Sequence, residues 1–299
     1  MKAICAMPAI EIKKLCKTFQ GKRKARIQAL KNLDLAVFDN EIFGFIGPNG
    51  AGKSTTIKIL TGQIRPSSGD ALIRGELVTN PMTRKRIGYL PENPSFYPFV
   101  TAREYLRFVG QVFKMSSGEV RAQTDRVLAL LDLSKAADRL IKGFSKGMTQ
   151  RLGLAQAMLH DPDLYILDEP MSGLDPLGRA LVKDIILSLK QQGKTVFFST
   201  HILSDVETVC DRAGIIINGT LTTLEDVNNG IVSGDQSYTL QIRTSNGDKN
   251  SLVVEQSSLN AIILQTVAEG SIIERLEPLH KNLEKIFLDT VAISTDHDH

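Results

Sequence analysis

The stretch Gly47-Pro48-Asn49-Gly50-Ala51-Gly52-Lys53-Ser54-Thr55 limits the possible folds of this chain more than any other. It follows an apolar run, Ile42-Phe43-Gly44-Phe45-Ile46, and opens a stretch of helical pattern that closes at Gly62. Strand, glycine-rich turn and helix, with G-x-x-x-x-G-K-S at the junction, make up the phosphate-binding P-loop. Each residue type has a physical reason. Glycines let backbone N–H groups curl towards a phosphate with no Cβ in the way. The helix N-terminus adds unpaired N–H donors and a partial positive charge. Lys53 supplies a mobile cation for the β- and γ-phosphates, and Ser54 a hydroxyl for Mg²⁺. The stretch implies that the chain binds a nucleoside triphosphate.

The segments around the loop read as β structure. Ile10 and Ile12 alternate with polar neighbours, and apolar positions recur at every second residue from Leu33. Pro66-Ser67-Ser68-Gly69 is turn chemistry, and Ala71-Leu72-Ile73-Arg74-Gly75 reads as a further strand. An antiparallel β subdomain is therefore expected beside the P-loop. Ile87-Gly88-Tyr89-Leu90 is a short strand ended by Pro91, and two more prolines in Asn93-Pro94-Ser95-Phe96-Tyr97-Pro98-Phe99 mark a structured loop. The pattern then turns helical. Thr101 and Glu104 form a capping box, Leu106, Val109 and Phe113 share a face, and a second amphipathic helix carries Val120, Val127, Leu128 and Leu131. Gly147 ends a loop, and a helix follows through Leu152, Ala155 and Leu159 to Asp161-Pro162. Residues 93–160 are thus expected to be a helical insertion.

Leu164-Tyr165-Ile166-Leu167-Asp168-Glu169 reads as a buried strand ending in two carboxylates. Asp175 caps a helix that starts at Pro176 and runs to Gly193. Thr195-Val196-Phe197-Phe198-Ser199 is a strand ending at Thr200-His201, Ser204 with Glu207 suggests another capping box, and residues 213–217 read as a last core strand. Strands alternating with helices predict a mainly parallel sheet with its ligand at the carboxyl ends of the strands. Beyond about Thr223 the character changes. Tyr238-Thr239-Leu240-Gln241-Ile242-Arg243 alternates, Asn246-Gly247-Asp248 offers a turn, and Leu252-Val253-Val254 is placed to pair back. A helix over 259–268, a strand over 272–276 and a helix over 283–291 complete a small α+β domain without a catalytic constellation. The fold class expected is α/β: a P-loop NTPase over 8–223 and a small α+β domain over 224–299.

Composition closes off other classes. A net charge of +3 is too mild to imply nucleic acid, and Lys22-Arg23-Lys24-Ala25-Arg26 reads as a solvated hairpin loop. Cys5, Cys16 and Cys210 are odd in number and form no C-x-x-C, which fits reduced thiols and no zinc site. The N-terminal apolar patch is broken by Pro8 and is too short for a signal peptide. No uncharged apolar run approaches the length of a membrane span, so any membrane role is expected to go through a partner. The Asp296-His297-Asp298-His299 tail reads as a frayed terminus rather than a metal site.

The later motifs decide among P-loop families. GPNGAGKST at 47–55, YLPE at 89–92, FSKGMTQRL at 144–152, LYILDEP at 164–170, SGLD at 172–175 and STH at 199–201 resemble, in that order, the ATP-binding subunit of an ABC transporter. The resemblance covers about residues 8–222, and there is no guanine-reading N-K-x-D. It implies ATP and Mg²⁺ as cofactors and ATP hydrolysis as the activity. Asp168 resembles the Walker B aspartate that holds Mg²⁺. Glu169 resembles the general base that polarises the attacking water, the alternative being a second metal-holding carboxylate. His201 resembles the H-loop histidine that contacts the γ-phosphate and orients Glu169. Phe19 resembles the A-loop aromatic that stacks on adenine, with core packing as its rival. Glu92 stands at the Q-loop position, where Gln is usual; it keeps an oxygen for Mg²⁺ and adds a negative charge.

The signature departs most from the usual L-S-G-G-Q, reading Phe144-Ser145-Lys146-Gly147-Met148. Ser145 and Gly147, which would meet the γ-phosphate held by an opposite subunit, are retained. The resemblance thus implies a dimer of two copies with two ATPs between them and Asp175 of the D-loop across the interface. Phe96-Tyr97-Pro98-Phe99 follows the Q-loop, where the family receives its membrane permease; ordinary subdomain packing is the other reading. Lys146, Met148 and Glu92 are similar to exporter-type subunits, which implies a cytoplasmic protein held at the membrane by a separate permease. A soluble ATPase not coupled to transport, or an ATP-dependent regulatory dimer, is the alternative.

Overall fold

The computed structural model describes residues 7–20, 26–227, 237–244, 249–278 and 287. The chain divides into two compact units, Met1–Glu225 and Asp226–His299. The basic run at 22–25, Cys5, the Asn246-Gly247-Asp248 turn, nearly all of the helix expected over 283–291 and the His-containing tail lie outside the described residues.

The first unit begins with β1 (Ile10–Gln20), β2 (Arg26–Val37), β3 (Ile42–Ile46), α1 (Lys53–Leu60), β4 (Ser68–Ile73), β5 (Glu76–Leu77) and β6 (Ile87–Leu90). Helices α2 (Ala102–Val112), α3 (Ser117–Leu130) and α4 (Lys146–Met158) follow. The unit then runs through β7 (Leu164–Asp168), α5 (Pro176–Gln191), β8 (Thr195–Thr200), α6 (Leu203–Val209), β9 (Arg212–Ile217) and β10 (Thr220–Asp226). Its larger sheet has the order β10-β9-β3-β8-β7-β6, with every pair from β9 to β6 parallel. All residues of β3, β7 and β8 are buried, because both faces of a parallel sheet are covered, and this makes their sequences read as unbroken apolar runs. Phe43 stacks parallel to Phe197 at 5.8 Å, and Phe45 tilts against the same ring at 5.4 Å.

The second sheet, β2-β1-β4-β5, is antiparallel and shares a core with the first. Ile10, Ile12, Leu33, Leu35 and Val37 pack in one cluster with Phe43, Phe45, Ile57 and Leu60. This packing holds the P-loop helix between the two sheets. The architecture is the expected α/β P-loop arrangement, with a parallel sheet, an antiparallel sheet beside it and helices α2–α4 inserted between β6 and β7.

Local signals explain most boundaries. Thr101 and Glu104 close a reciprocal capping box on α2, and Ser116 with Glu119 does the same on α3. Asp175 Oδ1 accepts the Gly178 N–H at 2.9 Å, with Pro176 at the first position of α5. Two expectations are corrected. Ser145, not Gly147, ends the loop before α4: its Oγ accepts the Met148 N–H at 3.2 Å, so Gly147 lies inside the first helical turn. Ser204 and Glu207 form no capping box, and α6 begins without a side-chain cap. Thr200 Oγ1 has already accepted the Ile202 N–H at 3.1 Å, which starts the turn before Ser204 is reached.

The second unit is built from β11 (Ser237–Arg243), β12 (Lys249–Glu255), α7 (Gln256–Ala268) and β13 (Ile272–Pro278), with antiparallel sheet order β12-β11-β13. Leu240 and Ile242, two residues apart on β11, share a face and pack with Val254, Leu259, Ile262 and Ile263. Among the described residues no helix is long and apolar enough to cross a membrane.

Candidate functional site

The P-loop leaves the carboxyl end of β3 and enters α1. Gly50 and Gly52 take left-handed backbone, φ +82° and +115°. Close approach adds a second constraint. A Cβ on Gly47 would lie 2.4 Å from the Ile216 carbonyl oxygen, and one on Gly52 would lie 2.8 Å from that of Ala29. Only glycine fits there. Asn49 and Gly50 form the exposed tip, Pro48 is half-buried and Ala51 is buried. Ser54 and Thr55 are half-buried in the first turn of α1, where a phosphate would meet free N–H groups.

Lys53 is buried, and its Nζ donates to the carbonyls of Gly47 at 2.6 Å and Pro48 at 3.3 Å. It also stands 3.8 Å from Glu169 Oε1. Burial pulls the ammonium below the usual lysine value, and Glu169, Asp168 and Glu92 push it back up.

The two carboxylates lie at the end of β7. Ser54 Oγ donates to Asp168 Oδ1 at 3.5 Å, and Ser199 Oγ donates to the same oxygen at 2.6 Å. Ser199 Oγ also accepts the Glu169 N–H at 3.0 Å. One hydroxyl on β8 therefore fixes both acidic residues. In the sequence Ser199 stands only as a neighbour of His201; its bonds to Asp168 and Glu169 follow from the register that sets Asp168 opposite Ser199.

Glu169 leaves the strand with φ +49°, a left-handed conformation that costs a non-glycine residue about 1 kcal/mol or more. Only 8% of it is exposed. His201 Nδ1 lies 3.0 Å from each of its carboxylate oxygens, and Gln150 Nε2 donates to its backbone carbonyl at 3.3 Å. An ionised carboxylate only accepts, so Nδ1 carries the proton in this pair.

Lys53, Ser54, Asp168, Glu169 and His201 are thus gathered at one end of the parallel sheet. The Ser54 hydroxyl and the Asp168 carboxylate offer two oxygens to a cation. Among the described residues no group of three or more His, Cys, Asp or Glu side chains is placed to hold a metal. Two protein oxygens completed by phosphate and water suit Mg²⁺, which rarely has an all-protein cage.

The remaining candidates stand apart from this cluster. Glu92 is exposed in the loop after β6 and acts on Lys53 through space. Phe19 lies near the end of β1 with its ring part-exposed and Lys17 Nζ 5.0 Å above it, so core packing is not its role. Ser145 and Gly147 lie in the N-terminal turn of α4, and Asp175 caps α5. Of the aromatic stretch, Phe96 packs edge-on against Tyr105 at 4.9 Å, whereas Tyr97 and Phe99 are 75% and 77% exposed.

Comparison with known proteins agrees with this geometry. The ABC transporter family model matches residues 30–172. An uncharacterized ABC transporter ATP-binding protein of Synechocystis sp. is 49% identical over 201 residues, covering 66% of this chain and 56% of that protein. The chain thus spans little more than half the length of that relative. The bacitracin transport ATP-binding protein BcrA of Bacillus licheniformis is 38% identical, over 77% of this chain and 74% of its own. A solved dimeric ATP-binding cassette in a post-hydrolysis state, bound to ADP and Pi, superposes with a TM-score of 0.68 at 25% identity, covering 73% of this chain and 99% of that one. With its P-loop, strand-end carboxylates and histidine all set in the fold these relatives share, the chain belongs to the family of ABC transporter ATP-binding proteins.

Proposed function

We propose that this chain hydrolyses ATP to drive movement of a substrate through a separate membrane permease, working as a pair of copies with two ATPs between them. The observation that carries this reading is the Glu169 carboxylate, held between His201 Nδ1 at 3.0 Å and Lys53 Nζ at 3.8 Å next to Asp168. A buried base with a fixed orientation beside a phosphate site is what water attack on a γ-phosphate needs.

In this reading Glu169 accepts the proton of the attacking water, and His201 orients that carboxylate and meets the γ-phosphate. Lys53 leaves the Gly47 and Pro48 carbonyls for the β- and γ-phosphates, with the N–H groups of residues 49–55 around them. Ser54 and Asp168 would hold Mg²⁺, and Glu92, which stands apart from them in the Q-loop, would have to move in to add an oxygen. When bound, the ion would supply charge neutralisation to the phosphates. Phe19 stacks on adenine. Ser145 already accepts the Met148 N–H and has its own proton to donate, so with Gly147 and Asp175 it completes the site of the second copy.

Residues 8–223 serve as the ATP-binding domain, with the helical subdomain over 93–160, and 224–299 as an accessory domain. BcrA is named for bacitracin transport, and the Glu92 and Lys146 departures favour export here. The permease would hold the chain at the cytoplasmic face of the membrane, and the exposed Tyr97 and Phe99 would meet it. Co-purification of a permease from gently solubilised membranes, weakened by Tyr97→Ala, checks that contact.

The decisive experiment is Glu169→Gln. The expected protein binds ATP, loses turnover by about 10²- to 10⁴-fold and accumulates as an ATP-bound dimer on size exclusion. An active Glu169→Gln enzyme overturns the base assignment. A wild type without ATPase activity overturns the function.

A further inference from the structure

We propose that Lys146 is a positioning residue that ties the signature helix α4 to the D-loop of its own chain. The proposal rests on the dimer reading above, because its consequence is communication between the two ATP sites.

Three contacts on the first turns of α4 carry it. A Cβ built on Gly173 would lie 2.5 Å from Lys146 Cε, 2.8 Å from Cδ and 2.9 Å from Nζ, so the Lys146 chain lies flat over Gly173. Gly173 has φ +70°, and glycine is needed there both for its backbone and for this cover. Beside it, a Cβ on Gly147 would sit 3.5 Å from Leu174 Cδ2. One turn on, Gln150 is 3% exposed and its Nε2 donates to the carbonyls of Glu169 at 3.3 Å and Pro170 at 3.4 Å.

Gln150 and Lys146 therefore hold the segment from Glu169 to Leu174 near its two ends, at Glu169-Pro170 and at Gly173, with Gly147 facing Leu174. That segment holds the strand-end carboxylate at one end and leads at the other into Asp175, which caps α5. In the dimer, the start of α4 would meet the ATP bound by the other copy. Through Lys146 and Gln150 the same turn bears on Glu169 in this copy's own site. Occupation of one site would then set the position of the base in the other. A glycine at 146, the usual signature residue, has no side chain to cover Gly173. What the contact requires of residue 146 is an unbranched chain of about lysine's length; the charge is incidental.

The test uses the purified full chain with Lys146→Gly and Lys146→Met. Two coupled sites give the wild type a Hill coefficient for ATP hydrolysis approaching about 2. Lys146→Gly is expected to lower it to about 1 with the half-saturating ATP concentration changed less than about twofold, and Lys146→Met to restore it. Amide exchange over residues 171–175 should rise about fivefold or more in Lys146→Gly and stay at the wild-type level in Lys146→Met. A cooperative Lys146→Gly enzyme with unchanged exchange sinks the inference while leaving the ATPase reading intact. So does a Lys146→Met enzyme that behaves like Lys146→Gly, since charge would then be the active element. A wild type that hydrolyses ATP without cooperativity also overturns it, and a wild type without ATPase activity removes both readings together.

Discussion

His201 Nδ1 lies 3.0 Å from both carboxylate oxygens of Glu169, a placement that fixes the acid's direction and leaves each oxygen a further lone pair. The two residues end different strands, β7 and β8, and meet only because those strands are neighbours in the sheet. His201→Ala removes the orienting partner but leaves the Gly47–Thr55 cradle whole. The expected result is a kcat lowered by about 10²-fold with ATP affinity within a few-fold of wild type. Phosphate release measured beside fluorescent-nucleotide binding separates the two effects. A loss confined to affinity would place His201 in binding rather than in hydrolysis.

Ser199 carries a double duty that no motif announces. Its hydroxyl donates to Asp168 Oδ1 at 2.6 Å and accepts the Glu169 N–H at 3.0 Å. Ser199→Ala leaves a buried N–H without this acceptor and lets the Asp168 carboxylate turn. It should cost about 1–3 kcal/mol of stability and about tenfold or more in Mg²⁺ affinity. Denaturant midpoints and a Mg²⁺ titration of ATPase activity read the two losses. Wild-type values in both would mean that Ser54 alone orients Asp168.

Much of this is legible in the sequence. The P-loop, the Thr101 cap and the Asp175-Pro176 start announce themselves because each is decided by residues within a few positions of one another. β3, β7 and β8 were equally plain, since burial on both faces leaves unbroken apolar runs. Where the structure departs from the pattern a competing neighbour decides, close in sequence at Ser145 and Thr200 and brought in by the sheet at Ser199. Ser204-x-x-Glu207 fits the capping-box pattern, yet Thr200 had already taken the N–H that starts the turn. β10 lies at the sheet edge with half-buried residues alternating with exposed ones, so its signal is weak. The Ser199–Asp168 bond depends on strand register, and the left-handed Glu169 on what surrounds it; neither is local. The Ser116–Glu119 box, by contrast, is wholly local, with both of its hydrogen bonds formed within four residues.

An ion cluster links the helix after the D-loop to the helix after His201. Asp205 on α6 is 1% exposed and takes Arg179 Nη2 at 2.9 Å on both oxygens, with Lys183 Nζ at 3.1 Å, both cations coming from α5. Arg179→Met leaves a buried carboxylate with one partner. The expected loss is about 1–3 kcal/mol, read as a lower urea midpoint at unchanged slope. The double variant Arg179→Met with Asp205→Leu should recover part of it, because no charge is then stranded. If the double variant is no better than the single one, the loss comes from the packing of the Arg179 stem and not from the stranded charge.

His160 gives the fold a dependence on acid. It lies at a cavity of about 460 Å³ with Tyr89, Arg84, Gln63 and Gln156, and its ring stacks on Phe113 at 3.8 Å. Burial pulls the imidazole down to about 4, against the pull of the Ile87 backbone and Asp161 in the other direction. The folded value lies below the ordinary 6.5, so between those values the unfolded chain binds a proton that the folded chain refuses. Stability from this group is complete above pH 6.5, declines as the pH falls towards 4, and changes no further below that. From pH 7 to pH 5 the loss should be about 1–2 kcal/mol. His160→Phe keeps an aromatic ring against Phe113 and removes the titration. Urea midpoints at the two pH values should therefore separate less in the variant than in the wild type. Equal separation would mean that the acid sensitivity belongs to other groups.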